Sequence, residues 1–197
     1  MSTINSVKHV RFLDLPKADQ QLVELAAEQA NYAYNRLLGR WAVGAAIRIH
    51  PDGEENFREA LRRLGAERVR KGIACMVGGS NVEDPDQIAL CECGEKVALA
   101  ATQSMGVGDY CEAIAIVGKR EGEEFDYIAL SPCDTCRGRI RGYGRRSGMN
   151  ECFPILLAPR EFREDDARVI VTTLGELQRE IPFNVEGIDM KQQLYVA

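Results

Sequence analysis

Three cysteines and one glutamate have the residue types and the spacing of a hydrolytic metal centre. Cys93-Gly94-Glu95 places a carboxylate two residues after a thiol, and Pro132-Cys133-Asp134-Thr135-Cys136 supplies two more thiols about forty residues later. Zinc prefers thiolates at tetrahedral corners, and a catalytic site keeps one corner for water. A nearby carboxylate that does not bind the metal can act as general base and then as general acid. The pattern therefore predicts zinc ligands at Cys93, Cys133 and Cys136. Glu95 is predicted to carry protons during catalysis.

Two predicted helices position these residues. Residues 94–102 have helical periodicity, and Pro132 directly before Cys133 is typical of the first turn of another helix. Both motifs would then lie at helix N-termini, where the positive end of the helix dipole favours thiolate over thiol.

A structural zinc site is the alternative interpretation of the cysteines. Such a site needs a fourth protein ligand, which would be Cys75, Cys91, Cys111 or Cys152. Cys91 is the main competitor, because the motif could start one step earlier at Cys91-Glu92-Cys93. Cys93 is preferred because Glu95 begins the apolar-periodic helix, whereas Glu92 would precede it. Cys91 is then predicted to be a small packing residue.

Length and composition indicate one globular domain. The chain has 197 residues, of which 45% are hydrophobic. Seven cysteines at irregular spacing favour metal-binding thiols in a reduced, cytoplasmic compartment over a disulfide framework. No apolar run is long enough to span a membrane. The net charge of −5 disfavours nucleic acid as a partner.

The order of the predicted elements is typical of an α/β fold. Strands are predicted at residues 40–49, 71–77, 113–118, 153–158 and 168–172, after a loosely held arm at 1–13. Helices are predicted at 14–36 and after Cys93, Cys133 and Thr173. The second strand is expected to end at Gly78-Gly79. This order implies a three-layer α/β/α sandwich with a mixed sheet of about five strands, in a single domain spanning 1–197.

Two further segments lie outside the zinc pattern. Residues 54–70 have one apolar and one charged face, which predicts a helical insertion on the surface, with a lid or subunit contact as the alternative. Residues 137–146 contain five arginines and are interpreted as a solvated helix end and loop, with anion binding as the alternative.

The motifs and the element order resemble those of the cytidine deaminase family, in its small, typically homotetrameric branch with a three-cysteine zinc site. The resemblance covers about residues 20–183. It implies one Zn²⁺ per subunit at Cys93, Cys133 and Cys136, with Glu95 as proton carrier. It also implies deamination of cytidine or deoxycytidine to the uridine, with release of ammonia. A homo-oligomer, tetramer or dimer, is expected, in which Phe183 matches an aromatic that reaches a neighbouring subunit's site.

The same resemblance implies the groups that bind the nucleoside. Asn81 and Glu83 match the pair that holds the sugar hydroxyl, and Trp41 stands where the family usually has a phenylalanine against the pyrimidine ring. The Gly94 N–H and the Ser131 carbonyl match the groups that meet the base.

The chain departs from the family pattern near the expected substrate. Lys96 replaces an arginine that hydrogen-bonds the ligand thiolates, and a lysine offsets their charge with less directional donation. Trp41 and the two segments described above also differ. These departures leave open a modified cytosine nucleoside, a nucleotide or an aminoacyl-nucleoside antibiotic of the blasticidin S kind as substrate. A non-catalytic, zinc-stabilised interaction module is the alternative from another class.

Overall fold

The computed structural model describes residues 7–35, 41–63, 75–83, 92–120 and 125–181. The strands are β1 (Lys8–Val10), β2 (Tyr34–Asn35), β3 (Trp41–Ile49), β4 (Met76–Ser80), β5 (Val82–Glu83), β6 (Cys111–Arg120), β7 (Pro154–Ala158) and β8 (Val169–Thr173). The α-helices are α1 (Lys17–Ala30), α2 (Glu54–Arg63), α3 (Gly94–Ser104), α4 (Tyr127–Leu130), α5 (Asp134–Arg146) and α6 (Leu174–Glu180).

A mixed sheet of six strands forms the middle layer, in the order β1-β8-β7-β6-β3-β4. Strands β6 and β7 are parallel, and the other neighbouring strands are antiparallel. A separate parallel pair joins β2 and β5. The predicted α/β architecture with a mixed sheet is therefore confirmed. The sheet has six strands instead of about five, because β1 in the N-terminal arm pairs with β8.

Both faces of the sheet are covered, so alternate residues of the central strand β6 enter two different cores. Ala113, Ala115 and Val117 pack in the core that contains α1, and the larger Ile114 and Ile116 pack in the core that contains α3 and α5. Burial on both faces explains why this strand is a continuous apolar run in the sequence. The small side chains on one face allow α1 to lie close to the sheet.

Several element boundaries differ from the prediction because of tertiary contacts. Helix α1 ends at Ala30 instead of residue 36, and the chain then pairs with β5 at Tyr34. Strand β4 continues through Gly78 and Gly79, which were expected to end it. A Cβ at Gly79 would lie 2.4 Å from the backbone nitrogen of Ala98, so the glycine allows α3 to approach the strand closely.

The segments around the second cysteine motif also differ. The apolar run before Pro132 is the short helix α4, capped by the Asp126 carboxylate, which accepts the Ile128 N–H at 2.8 Å. Residues 137–146 belong to α5, so the predicted loop there is wrong. Within the segment predicted as a helical insertion, Glu54–Arg63 form the helix α2, while 64–70 lie outside the described residues. None of the helices in the described ranges has the length and apolarity needed to cross a bilayer.

Replacing Gly44 by alanine is expected to destabilise the fold by about 3 kcal/mol or more, because the new methyl group would overpack the α1 interface. A Cβ there would lie 2.1 Å from the Ala26 carbonyl oxygen and 2.3 Å from the Ala30 nitrogen, both backbone atoms of α1. Gly142→Ala is the control, since a Cβ on that helical glycine meets nothing within 4 Å. It should leave stability unchanged or raise it by about 0.5–1 kcal/mol. Denaturant unfolding measures both changes, and equal stability of the two variants would contradict this account of the interface.

Candidate metal centre and active site

The three predicted cysteine ligands come together in space. The sulfur atoms of Cys93, Cys133 and Cys136 lie within 4.8 Å of one another, and the last two are 3.4 Å apart. Tetrahedral zinc with Zn–S bonds of about 2.3 Å separates its thiolates by about 3.8 Å, so the set fits zinc. In the part of the chain that the structure describes, no other group of three or more His, Cys, Asp or Glu residues is placed to hold a metal ion.

The candidates for a fourth ligand do not join this cluster in the described ranges. Cys75 and Cys111 are buried elsewhere in the core, and Cys152 is exposed beyond α5. Cys91 lies outside the described residues. A donor set of three thiols is what a site with an open metal corner requires.

Helix N-termini position the sulfurs, as the spacing predicts. Cys93 is the N-cap residue of α3, Cys133 is the N-cap residue of α5, and Cys136 follows in the first turn of α5. Hydrogen bonds from the thiols of Cys136 and Cys93 lower the pKa of Cys133, and the N–H groups of Cys136 and Thr135 act in the same direction.

The close packing of the sulfurs raises the pKa values of the other two thiols, Cys93 and Cys136. Donation to the Cys133 sulfur raises the pKa values of Cys93 and Cys136, because each would lose a hydrogen bond and gain a like charge on ionisation. All three thiols must lose their protons when a metal binds, and the cation then offsets the repulsion between the thiolates.

Glu95 lies in the first turn of α3 and is 5% exposed. Burial raises the pKa of its carboxyl to about 7, and the charge on Cys133 acts in the same direction, while a hydrogen bond from Cys136 opposes it. The carboxyl is thus next to the cysteine cluster. A carboxyl whose pKa is near neutrality can both accept and return a proton at physiological pH.

Lys96 contacts a carboxylate that the sequence analysis did not assign. Its Nζ is 3.3 Å from Oε2 of Glu92. Burial lowers the pKa of Lys96, but Glu92 and the charges on Cys93 and Cys136 outweigh this and raise it. Lys96 therefore stays cationic beside the thiols. The i,i+4 spacing of the two residues was the signal that could have identified the pair.

The start of α3 and the predicted sugar-binding segment meet at the same point of the sheet. Asn81 is buried. Its side-chain Oδ1 accepts the Val43 N–H at 2.9 Å, and its backbone N–H donates to the Val43 carbonyl at 2.9 Å. A Cβ on Gly94 would lie 3.2 Å from the same Val43 oxygen. Glu92 joins this segment to α3 through two backbone hydrogen bonds of 2.9 Å with Val82. Asn81 and Gly94 are therefore neighbours of one strand residue.

The remaining predicted substrate contacts in the described ranges lie in β3, in β5 and directly after α4. The backbone of Trp41 pairs with Arg120 in the sheet, and that of Glu83 pairs with Asn35. The Ser131 hydroxyl donates to the Tyr127 carbonyl at 2.7 Å, which fixes the turn before the second cysteine motif. Phe183 lies outside the described residues.

Intramolecular contacts engage three of the five arginines of α5. Arg137 contacts Asp134, Arg141 Nε is 3.3 Å from Glu151, and Arg146 Nε is 2.8 Å from Asp109. The segment is therefore part of a helix whose arginines pair with neighbouring carboxylates, instead of the predicted solvated helix end and loop.

Comparison with known proteins found a solved structure with a similar fold. No protein-family model and no curated protein matches the sequence. Among solved structures, the chain is similar to the 1.6 Å crystal structure of cytidine deaminase from Burkholderia pseudomallei, with a TM-score of 0.52 and 23% identity. The match covers 80% of this chain and 93% of that chain. The likeness shows a shared fold.

Proposed function

We propose that this protein is a zinc-dependent hydrolytic deaminase that converts cytidine or deoxycytidine to uridine or deoxyuridine and releases ammonia. The observation that carries the proposal is the cluster of three thiols within 4.8 Å with the buried Glu95 carboxyl next to it. The fold, similar to that of a cytidine deaminase, supports the same conclusion. A homo-oligomer, tetramer or dimer, is part of the proposal and rests on the family resemblance.

In this proposal the cysteines hold the metal, and nearby groups of the chain balance the charge of the site. Cys93, Cys133 and Cys136 would hold one Zn²⁺, which supplies a Lewis acid and an activated water when three protein ligands leave a corner open. Three thiolates on a dication leave one net negative charge. Lys96 and the N-termini of α3 and α5 offset that charge.

Glu95 moves the protons of the reaction. Its carboxylate accepts the proton of the attacking water as the C4–O bond forms on the cytosine ring. It passes that proton to the ring nitrogen, then takes the proton of the new C4 hydroxyl and passes it to the exocyclic amine. The C4–N bond then breaks, the C4 carbonyl forms and ammonia leaves. Burial of Glu95 keeps bulk water away from these transfers.

The proposal assigns the binding of the nucleoside to five groups. Asn81 and Glu83 hold the sugar, Trp41 lies against the ring, and the Gly94 N–H and the Ser131 carbonyl meet the base. The position of Asn81 beside the first turn of α3 supports this arrangement.

A cavity beside α4 favours a second candidate, a cytosine nucleoside with a cationic arm. The cavity has a volume of about 470 Å³, and its wall includes three carboxylates and three aromatic rings, namely Glu161, Glu164, Asp166, His9, Phe125 and Tyr127. The Arg168 guanidinium in the same wall donates to the backbone carbonyls of Asp165 and Ala167 at 2.9 Å. Carboxylates and aromatic faces together favour an organic cation. Residues of the cysteine cluster do not line this cavity, and the link to the centre is α4, which begins at Tyr127 and is followed by Ser131. The second candidate places the arm of an aminoacyl-nucleoside antibiotic of the blasticidin S kind in this cavity.

Ammonia release by the zinc-loaded protein distinguishes these candidates. The substrates are cytidine, deoxycytidine, cytosine, CMP and blasticidin S, with Glu95→Gln as the blank. We expect turnover of the free nucleosides. Turnover of blasticidin S alone would favour the second candidate, and turnover of CMP alone would favour a nucleotide deaminase. A fully zinc-loaded protein that releases no ammonia from any of them would contradict the proposal and favour a non-catalytic zinc module.

A further inference from the structure

Arg137 is a buried cation directly after the predicted ligand Cys136, and the proposed reaction does not use it. It is 4% exposed, and a guanidinium is seldom buried to this degree unless it is paired. Its Nη2 donates to Oδ1 of Asp134, and its Nη1 donates to the backbone carbonyl of Ile181.

These two contacts join the cysteine-bearing turn to a different helix. Asp134 is the first residue of α5 and lies between Cys133 and Cys136 in the sequence, while Ile181 is the residue that ends α6. Helix α6, which ends at the Ile181 carbonyl, is held firmly in place. Leu174 and Leu177 are fully buried in the core, and the Thr173 hydroxyl caps the helix by accepting the Glu176 N–H at 3.4 Å.

We propose that Arg137 is a positioning residue for the metal centre. By fastening Asp134 to the end of α6, it holds Cys133 and Cys136 at ligand spacing before the metal binds, so less ordering accompanies binding. This inference rests on the zinc site of the proposed function. It adds a residue outside the ligand set whose loss lowers metal affinity.

The same helix offers a matched control one turn further on. Arg141 also links α5 to its surroundings, donating to Oε1 of Gln178 in α6 and lying 3.3 Å from Glu151. It is four residues from Arg137, and neither of these two contacts reaches the turn that carries the cysteines. Arg141→Gln therefore removes a comparable interhelical link without releasing Asp134.

Zinc affinity tests the proposal directly. The dissociation constant is measured on the full chain by competition with a chromophoric chelator, for the wild type, Arg137→Gln, Arg137→Lys and Arg141→Gln. We expect Arg137→Gln to weaken zinc binding by about 10- to 100-fold, as is typical for outer-shell partners of metal ligands. Arg137→Lys keeps the charge but cannot donate to Asp134 and to the Ile181 carbonyl as a guanidinium does. Its dissociation constant for zinc should lie between those of Arg137→Gln and the wild type. Arg141→Gln should stay within about twofold of the wild type.

Each other outcome overturns a specific step. Unchanged affinity in Arg137→Gln would remove the positioning role. An equal loss in Arg141→Gln would assign the effect to general packing of α5 on α6, which also overturns it. If Arg137→Gln does not fold, the test is Arg137→Lys: zinc affinity equal to that of the wild type would refute the role of the two guanidinium hydrogen bonds. A wild type that binds no zinc would refute the proposed metal centre itself, and the positioning role with it.

Discussion

Replacing Glu95 by glutamine is expected to lower kcat for deamination by at least about 1,000-fold while zinc stays bound. The amide has nearly the same shape as the buried carboxyl but cannot accept the proton of the attacking water. The three sulfurs form the metal-binding cluster without Glu95, so the metal content should not change. Steady-state ammonia release on the best substrate of the panel measures the rate, and elemental analysis measures zinc.

Glu92→Gln is the matched control for this result. Glu92 is a carboxylate three residues earlier, exposed and paired with Lys96 at 3.3 Å. Its neutralisation should change kcat by no more than a few-fold, since the Glu92 carboxylate is 45% exposed and Lys96 keeps its own charge beside the thiols. A Glu95→Gln enzyme that keeps more than about a tenth of the wild-type rate would exclude Glu95 from proton transfer.

Replacing Cys136 by alanine is expected to abolish stoichiometric zinc binding and the stability that zinc provides. Cys136 is fully buried in the first turn of α5, so no other side chain can take its place without rearrangement. A ligand present at about 1,000 times its dissociation constant stabilises the folded state by about 4 kcal/mol. Thermal unfolding with and without added zinc should therefore show a large shift for the wild type and none for Cys136→Ala.

Cys111→Ala separates metal loss from the loss of packing. Cys111 is also fully buried, but its thiol donates to the Thr102 hydroxyl at 3.8 Å and lies outside the cluster. This variant should lose about 1 kcal/mol of stability and keep both its zinc and the zinc-dependent shift. Full zinc occupancy in Cys136→Ala would show that the ligand set is wrong, and Cys91 would then be the next ligand to test.

The fold was predictable wherever a local pattern coincides with burial. Strand β6 is apolar on both faces because both are covered, and α3 begins at Gly94 where its periodicity starts. Predictions failed where a distant partner decided the outcome. A Gly-Gly pair is expected to end a strand, yet Gly78 and Gly79 continue β4. At Gly79 the backbone of α3 lies so close that a Cβ would clash with it, so a distant helix explains the glycine there.

The sequence by itself determined which side chains form the cysteine cluster. The order Cys-x-Glu at the start of a helix and Pro-Cys-x-x-Cys at the start of another specifies thiols and a carboxylate at known offsets, because spacing within one helical turn depends only on local geometry. Cys93, Glu95, Cys133 and Cys136 could all be chosen in this way.

Only the tertiary structure decided how the centre is supported. The sulfur of Cys93 meets those of Cys133 and Cys136 because α3 and α5 lie next to each other, although they are far apart in the sequence. The burial of Arg137 against the end of α6 has no local signature, since the contact joins residues 44 positions apart. Contacts of this range depend on the packing of whole helices, and no spacing rule within one segment encodes them.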